Sequence, residues 1–201
     1  MNNLNYIHLG RLMPEVVEQF KTRIESKMTP DNYQWVHFTA DDTAYYKSVF
    51  NNDIGDKMKP NQKAIVSAPG HGFRIHKDEP GVLCALNVVI QCNPSDWIRW
   101  YDESYIDSIA EVELIDIVAG GGKPLKSRNI HIKKYGPVPY IDQLTDQQPG
   151  DVYLVNTDKY HSFRAIGYNH RMVIQTKFWH YPSIEQLAAS LSGNIFADYM
   201  I

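Results

Sequence analysis

Two histidines and one carboxylate are the residues of this chain whose types and spacing point most directly to chemistry. His76 and Asp78 are separated by one residue in a stretch that reads as a strand, and His161 lies far along the chain. Residues two apart in an extended backbone project to the same face, so His76 and Asp78 can reach one ion together. With His161 they would cover one face of an octahedral metal ion and leave three positions open, as oxygen chemistry requires.

An arginine follows the second histidine by ten positions. Arg171 opens an apolar strand, and a buried guanidinium is costly unless it meets an anion. Its planar fork suits two-point capture of a carboxylate, either on a ligand or on an internal Asp or Glu side chain. Arg164 competes for the same role, but strand alternation places it on the face opposite His161. We therefore prefer Arg171 as the anion-binding residue.

The cysteines argue against a structural zinc site. Such a site takes four ligands, commonly with thiolates, whereas the chain has only Cys84 and Cys92. Both fall in one strand-like stretch, where eight residues at about 3.3 Å each would separate them by roughly 26 Å. A disulfide requires Cα atoms within about 7 Å, so we predict two reduced, packed thiols.

Short strand candidates dominate the sequence after residue 62. They are separated by Gly, Pro, Asn and Asp clusters and lie at 64–68, 73–76, 82–92, 96–101, 111–118, 129–134, 151–156, 162–166 and 171–179. Little room is left between them for crossover helices, which favours antiparallel pairing. We predict a mainly β fold, a sandwich or jelly-roll barrel, with helices packed outside it.

Helical patterns flank this strand-rich region. Pro14 stands at a first helical position, and apolar residues follow at helical spacing: Val16, Val17, Phe20 and Ile24. We predict that this helix ends near 26–29. We also predict a strand at 33–38, a short helix at 43–50 capped by Asp41 or Asp42, and a terminal helix at 182–191.

Length and composition favour one domain over residues 1–201. The chain has 43% hydrophobic residues, enough for a full core, and no linker or repeat divides it. We assign 1–62 as helical or mixed N-terminal support, 63–179 as the β core, and 180–201 as a C-terminal helix.

Charge and hydropathy limit the classes of partner that this protein is expected to bind. A formal net charge of −3 disfavours nucleic acid, although a nucleobase substrate stays open. No apolar run approaches the roughly 20 residues that span a bilayer, and the polar start lacks the features of a signal peptide. We expect a soluble cytoplasmic protein without a membrane partner, and the sequence leaves its oligomeric state open.

Taken together, these motifs resemble a known family. His-x-Asp, a distal His and an Arg ten residues later, on this frame of strands, resemble the iron(II)- and 2-oxoglutarate-dependent dioxygenases with their double-stranded β-helix, a cupin-like barrel. The resemblance runs over 64–178. The segments 75–78 and 84–90 are similar to the aspartyl/asparaginyl β-hydroxylase-like branch and to small stand-alone dioxygenases of bacteria and phages.

The resemblance implies a site and a reaction. Fe(II) would be bound by His76, Asp78 and His161, and Arg171 would hold the distal carboxylate of the cosubstrate 2-oxoglutarate. Asn87 is a further candidate for a cosubstrate contact, unless its amide is satisfied by backbone. With O2, such an enzyme hydroxylates an unactivated C–H bond of its substrate and releases succinate and CO2.

The substrate and two other classes of function stay open. A peptide or free amino-acid side chain, another small molecule or a nucleobase could be oxidised. A cupin-like non-oxidative metalloenzyme or isomerase would share the barrel and metal, and a non-enzymatic jelly-roll binding module would need no converging ligands. Specificity would come from the segment 102–135 or from the first sixty residues, because loops on rigid scaffolds usually carry recognition. Three aromatic residues could wall the pocket or belong to the core: Trp97, Trp100 and Tyr101.

Overall fold

The computed structural model describes residues 4–30, 33–60, 62–78, 82–104, 112–114, 117–118, 124–125, 130–132, 139–180 and 182–190. In these residues the strands are β1 Tyr6–Arg11, β2 Tyr33–His37, β3 Lys63–Ser67, β4 Gly72–His76, β5 Cys84–Gln91, β6 Trp97–Tyr101, β7 Val112–Leu114, β8 Ile117–Val118, β9 Pro124–Leu125, β10 Ile130–Ile132, β11 Tyr140–Leu144, β12 Asp151–Asn156, β13 His161–Arg164 and β14 Arg171–Thr176. The helices are α1 Pro14–Glu25, α2 Ala40–Ser48, α3 Asn52–Gly55 and α4 Ile184–Ser190.

Two antiparallel sheets form the body of the protein. The larger has six strands in the order β1-β12-β5-β14-β3-β2, and the smaller has four in the order β11-β6-β13-β4. Strands distant in sequence are neighbours in both sheets, as β1 and β12 are, so the sheets close only when the whole chain is in place. Two short antiparallel strand pairs, β7 with β10 and β8 with β9, lie within the segment 102–135.

Alternate residues of the six-stranded sheet belong to two different cores. On β5, Leu86 and Val88 pack against the helices, whereas Ala85 and Val89 pack with residues of the four-stranded sheet. Covering on both faces explains why every residue of β5 except Gln91 is buried. The space between the two sheets, here called the interior, is therefore enclosed by alternate side chains of the same strands that anchor the helices.

The helices largely follow the sequence pattern. α1 begins at Pro14 and buries the four predicted residues, Val16, Val17, Phe20 and Ile24, against the outer face of the six-stranded sheet. α4 covers 184–190 of the predicted 182–191, and residues 191–201 of the predicted C-terminal helix lie outside the described residues.

The predicted cap of α2 is wrong. Thr39, rather than Asp41 or Asp42, is the N-cap residue, and its hydroxyl accepts a hydrogen bond from the Asp42 backbone N–H. The Asp42 carboxylate in turn accepts one from the Thr39 N–H, which completes a reciprocal capping box. The helix therefore starts earlier than predicted.

Two strands carry no counterpart in the sequence prediction. β1 pairs with β12 along the edge of the six-stranded sheet, and β11 pairs with β6 along the edge of the four-stranded sheet. Both are edge strands in which every residue except Leu144 is half-exposed or exposed, so their apolar alternation is weak. The predicted strands 111–118 and 129–134 are described only in β7, β8 and β10.

The two cysteines are free thiols, as predicted. The Cys84 thiol donates to the Pro182 carbonyl and the Cys92 thiol to the Gln147 carbonyl. Burial raises the pKa of Cys84 to about 12 and that of Cys92 to about 11, so both stay protonated near neutral pH. Among the helices described, none is long and apolar enough to cross a membrane.

Gly72 allows β4 and β13 to approach each other. A Cβ atom at this position would stand 2.1 Å from the Phe163 carbonyl oxygen and 2.9 Å from the Arg164 Cα. Both atoms belong to backbone, which cannot rotate away as a side chain can. The pairing of these two strands therefore depends on the absence of a side chain at residue 72.

We predict that Gly72→Ala lowers the free energy of unfolding by about 2 to 4 kcal/mol, because the added methyl forces the strands apart. Gly55→Ala is the matched control, since a Cβ there meets its nearest atom at an ordinary 3.5 Å; its effect should stay within about 0.5 kcal/mol. Urea denaturation followed by circular dichroism measures both. Equal midpoints for the two variants would contradict the prediction.

Candidate metal centre

A β-bulge sets the direction of His76. In the pairing of β4 with β13, His76 stands opposite His161 and Phe73 opposite Phe163. On β4, two residues lie between Phe73 and His76, whereas on β13 only one lies between His161 and Phe163. β4 therefore carries one extra residue, which is a β-bulge. The bulge lets Phe73 and His76, three positions apart, both face the interior, where their rings lie 5.2 Å apart.

The structure brings the three predicted ligand residues together. His76, Asp78 and His161 each offer one ligand atom within 4.8 Å of the others. Asp78 Oδ1 lies 3.7 Å from His76 Nε2 and 3.9 Å from His161 Nε2. The two imidazole rings have centroids 4.4 Å apart.

These spacings suit a single metal ion. The point in the plane of the three atoms that is equidistant from them lies at most about 2.5 Å from each, so a small inward movement would bring all three to metal–nitrogen and metal–oxygen distances of about 2.0 to 2.2 Å. The other Asp78 oxygen, Oδ2, is buried and has no hydrogen-bond partner in the described residues. A buried carboxylate oxygen without a donor is costly, and a cation would remove that cost.

Hydrogen bonding fixes the tautomer of His161. Its Nδ1 lies 2.9 Å from the Lys159 carbonyl oxygen, which can only accept, so Nδ1 carries the proton. Nε2 then presents a lone pair toward Asp78. Metal-ligating histidines are commonly oriented in this way by a backbone carbonyl. Asp78 is held by its own backbone N–H, which donates to the Thr157 carbonyl at 3.1 Å.

Aromatic rings enclose the site on the side of the four-stranded sheet. Phe73 packs edge-on against Phe163, and Trp100 is fully buried with its Nε1 donating to the Asn156 carbonyl at 2.9 Å. Trp100 and Phe163 belong to the interior core, whereas Trp97 lies beside an open surface cleft. The Tyr101 hydroxyl bonds to the Ser162 hydroxyl at 2.8 Å. Of the three predicted aromatic walls, Trp100 is therefore the one that packs in the interior.

Arg171 is 3% exposed, and no carboxylate forms an ion pair with it in the described residues. Its Nη2 donates to Gln147 Oε1 at 3.2 Å, and its Cζ lies 5.1 Å from the centroid of the Phe163 ring. Burial lowers the pKa of Arg171, and the nearby Asp96 opposes this shift. Asp96 is occupied elsewhere, because it accepts hydrogen bonds from the Asn93 and Ile166 backbone N–H groups.

The other two candidates lie at different depths. Arg164 is exposed and borders a surface cleft with Trp97, away from the buried face of His161. Asn87 is 8% exposed and lies between Tyr153 and Gln175 in the register of the six-stranded sheet. Its Oδ1 is buried without a partner in the described residues, so the backbone does not satisfy that oxygen.

Sequence reasoning missed Gln147, the residue that contacts Arg171. It lies in the polar stretch before β12, where glutamine gives no periodic or motif signal. Only the fold places it beside an arginine 24 positions later.

Comparison with known proteins gives a likeness in structure and none in sequence. No protein-family model matches the chain, and no curated protein matches it. HygX from Streptomyces hygroscopicus, solved with nickel and 2-oxoglutarate bound, superposes with a TM-score of 0.54 at 12% identity, covering 97% of this chain and 92% of HygX. A second HygX structure with iron bound gives 0.53.

Two further solved proteins share this architecture. A prolyl-4-hydroxylase from Pseudomonas putida has a TM-score of 0.51 at 10% identity over 88% of this chain and 92% of its own. SnoN, a non-haem α-ketoglutarate-dependent epimerase from nogalamycin biosynthesis, has 0.55 at 9% over 87% and 76%. These likenesses confirm the double-stranded β-helix fold. Identities this low carry the fold alone.

We predict that a divalent metal stabilises the protein through His161. Mn(II) at about 100 times its dissociation constant should raise the unfolding midpoint by about 5 to 10 °C, because binding adds about 2.7 kcal/mol to the folded state. His161→Ala should abolish the shift. The exposed His71 supplies the control, because His71→Ala removes an imidazole outside the cluster. An undiminished shift in His161→Ala, measured by differential scanning fluorimetry, would contradict the prediction.

Proposed function

We propose that this protein is an iron(II)- and 2-oxoglutarate-dependent oxygenase. His76, Asp78 and His161 would hold the metal, and Arg171 would hold the distal carboxylate of the cosubstrate. The fold supports this proposal, since proteins that share it are solved with iron, or with nickel and 2-oxoglutarate, bound.

The observation that carries the proposal is the separation of the cluster from the buried arginine. The Arg171 guanidinium lies over the ring of Phe163, two residues along β13 from His161. Two residues of strand span roughly 6.6 Å. A five-carbon dicarboxylate measures about 5 Å between its end carbons, with C–C bonds of about 1.5 Å. A dicarboxylate of this length matches the spacing of these two strand positions, and we expect it to bind with one end at each.

The chain's own residues bind, orient and exclude water. Two imidazoles and one carboxylate would leave positions open on a bound metal, and the proton on His161 Nδ1 keeps its Nε2 available. Phe73, Phe163 and Trp100 cover the cluster with apolar surface on the side of the four-stranded sheet, which limits the access of bulk water from that side. When bound, iron with 2-oxoglutarate and O2 supplies the oxidation, in which the cosubstrate becomes succinate and CO2.

We further propose hydroxylation of a C–H bond in an amino-acid side chain, in a peptide or free, or in another small molecule. The fold is shared with a prolyl hydroxylase and with an epimerase, so it hosts more than one outcome. The mass of the product separates these outcomes: hydroxylation adds one oxygen, and epimerisation adds none. A nucleobase substrate is tested in the same screen.

We predict formation of succinate from 2-oxoglutarate when Fe(II), ascorbate and air are supplied, even before the substrate is known. Asp78→Ala should reduce the rate by about a hundredfold or more, because it removes a charged metal ligand. Asp158→Ala, an exposed carboxylate in the loop before β13, is the control and should leave the rate unchanged. Quantifying succinate by mass spectrometry decides the matter. A protein without metal-dependent turnover would be a binding module or a non-oxidative metalloenzyme.

We predict that Arg171→Met raises the dissociation constant of 2-oxoglutarate by about ten- to a hundredfold. Hydrogen bonds from a charged donor contribute about 1.5 to 3 kcal/mol, and methionine refills the volume without a charge. The exposed Arg164 provides the control variant, Arg164→Met, whose affinity should not change. Isothermal titration with the Mn(II)-loaded protein measures both constants. Unchanged affinity in Arg171→Met would remove this residue from the site.

A further inference from the structure

Three hydrogen-bonding groups near the start of β14 have no hydrogen-bond partner among the residues that the structure describes. Arg171 Nε, Gln147 Nε2 and Ser67 Oγ are each buried, and none has a hydrogen-bond partner in the described residues. Ser67 stands directly opposite Arg171 in the pairing of β3 with β14, so the two side chains point to the same face. Gln147 reaches them through its bond to Arg171.

The chemistry of the three groups specifies what would satisfy them. Guanidinium and amide nitrogens can only donate, and a hydroxyl can donate. A buried donor that makes no hydrogen bond costs about 1 to 3 kcal/mol of folding free energy. Several such donors in one place therefore lower the stability of the protein when no ligand is bound. Their complement is a group with several lone pairs and a negative charge. A carboxylate has both properties.

Arg171 determines which end of the Gln147 amide faces the space. Because arginine carries no acceptor, the atom bonded to Nη2 at 3.2 Å must be the amide oxygen. The amide nitrogen, Nε2, takes no part in the hydrogen bond with Arg171 and can donate to a ligand. The same contact orients the guanidinium.

The turn that carries Gln147 is rigid. Gly150 has a φ of 94°, its N–H donates to the Val89 carbonyl at 2.7 Å, and a Cβ there would stand 2.8 Å from the Leu12 oxygen. Asp151 closes the turn by accepting from the Gln148 N–H at 2.8 Å. The Gln147 carbonyl is itself fixed by the Cys92 thiol. The amide is therefore held in place before any ligand arrives, which limits the entropy that binding would cost.

We propose that Gln147 is a second binding residue for the cosubstrate, whose distal carboxylate takes hydrogen bonds from Gln147 Nε2, Arg171 Nε and Ser67 Oγ. This inference rests on the proposed function and deepens it. The end of the site away from the metal would then select ligands that carry a second carboxylate. A 2-oxo acid without the second carboxylate would gain nothing from these three donors.

The test compares two 2-oxo acids on the Mn(II)-loaded protein without O2, by isothermal titration. 2-Oxoglutarate carries the distal carboxylate, and pyruvate has the same metal-binding end without it. Gln147→Leu should weaken 2-oxoglutarate about tenfold, as expected for one hydrogen bond to a charged group, and leave pyruvate unchanged. Ser67→Ala should act in the same direction.

The matched control is Gln143→Leu, which removes an amide from β11 that accepts from Arg99. Neither acid's affinity should change in it. If Gln147→Leu does not fold, Gln147→Asn withdraws the amide by one methylene and should show the same selective loss.

Each other outcome overturns the inference in a distinct way. Unchanged 2-oxoglutarate affinity in the Gln147 variants would remove this residue while leaving the proposed function in place. Equal weakening of both acids would mean a structural role for the turn. A wild-type protein that binds neither acid would overturn the proposed function and, with it, this inference.

Discussion

The pairing of β4 with β13 across a bulge is the constraint on which the rest of the site depends. It sets His76 opposite His161 and lets Phe73 follow the same face, so four interior rings share one register. A one-residue slip of β4 along β13 would turn His76 and Phe73 out of the interior. Because Gly72 admits the close approach of the two backbones, the geometry of the cluster is set by main-chain contacts rather than by the ligands themselves.

The interior combines groups that stabilise the fold with groups that do not. The apolar cluster on the helix side includes large side chains that are fully buried, among them Phe20, Tyr46 and Phe178. The interior instead keeps the Nε donor of a buried arginine and one carboxylate oxygen, neither of which has a hydrogen-bond partner in the described residues, and both reduce stability in the absence of a ligand. Packing on the helix side offsets that loss. Such a division is expected where a site must be ready for a charged ligand.

Much of this arrangement can be predicted from the sequence, because it follows from the two-residue repeat of strands and the 3.6-residue repeat of helices. The two-residue repeat groups His76 with Asp78, and helical spacing locates α1 and its buried face. The bulge in β4 could not be predicted from the sequence, because the residues that form it have ordinary strand propensities. Edge strands β1 and β11 escape notice since they bury too little for clear alternation. Gln147 is invisible until the fold sets it beside Arg171, because a contact across separate elements leaves no local pattern.

The alternation of β5, β12 and β14 between two cores has an evolutionary consequence. Even-numbered residues pack on the helix side, as Leu86, Leu154 and Ile174 do. Odd-numbered residues face the interior, as Asn87, Tyr153 and Arg171 do. Selection can therefore alter one set while the other keeps the protein folded. The lining of the interior can be rebuilt in this way, one scattered position at a time, without a change in the path of the backbone.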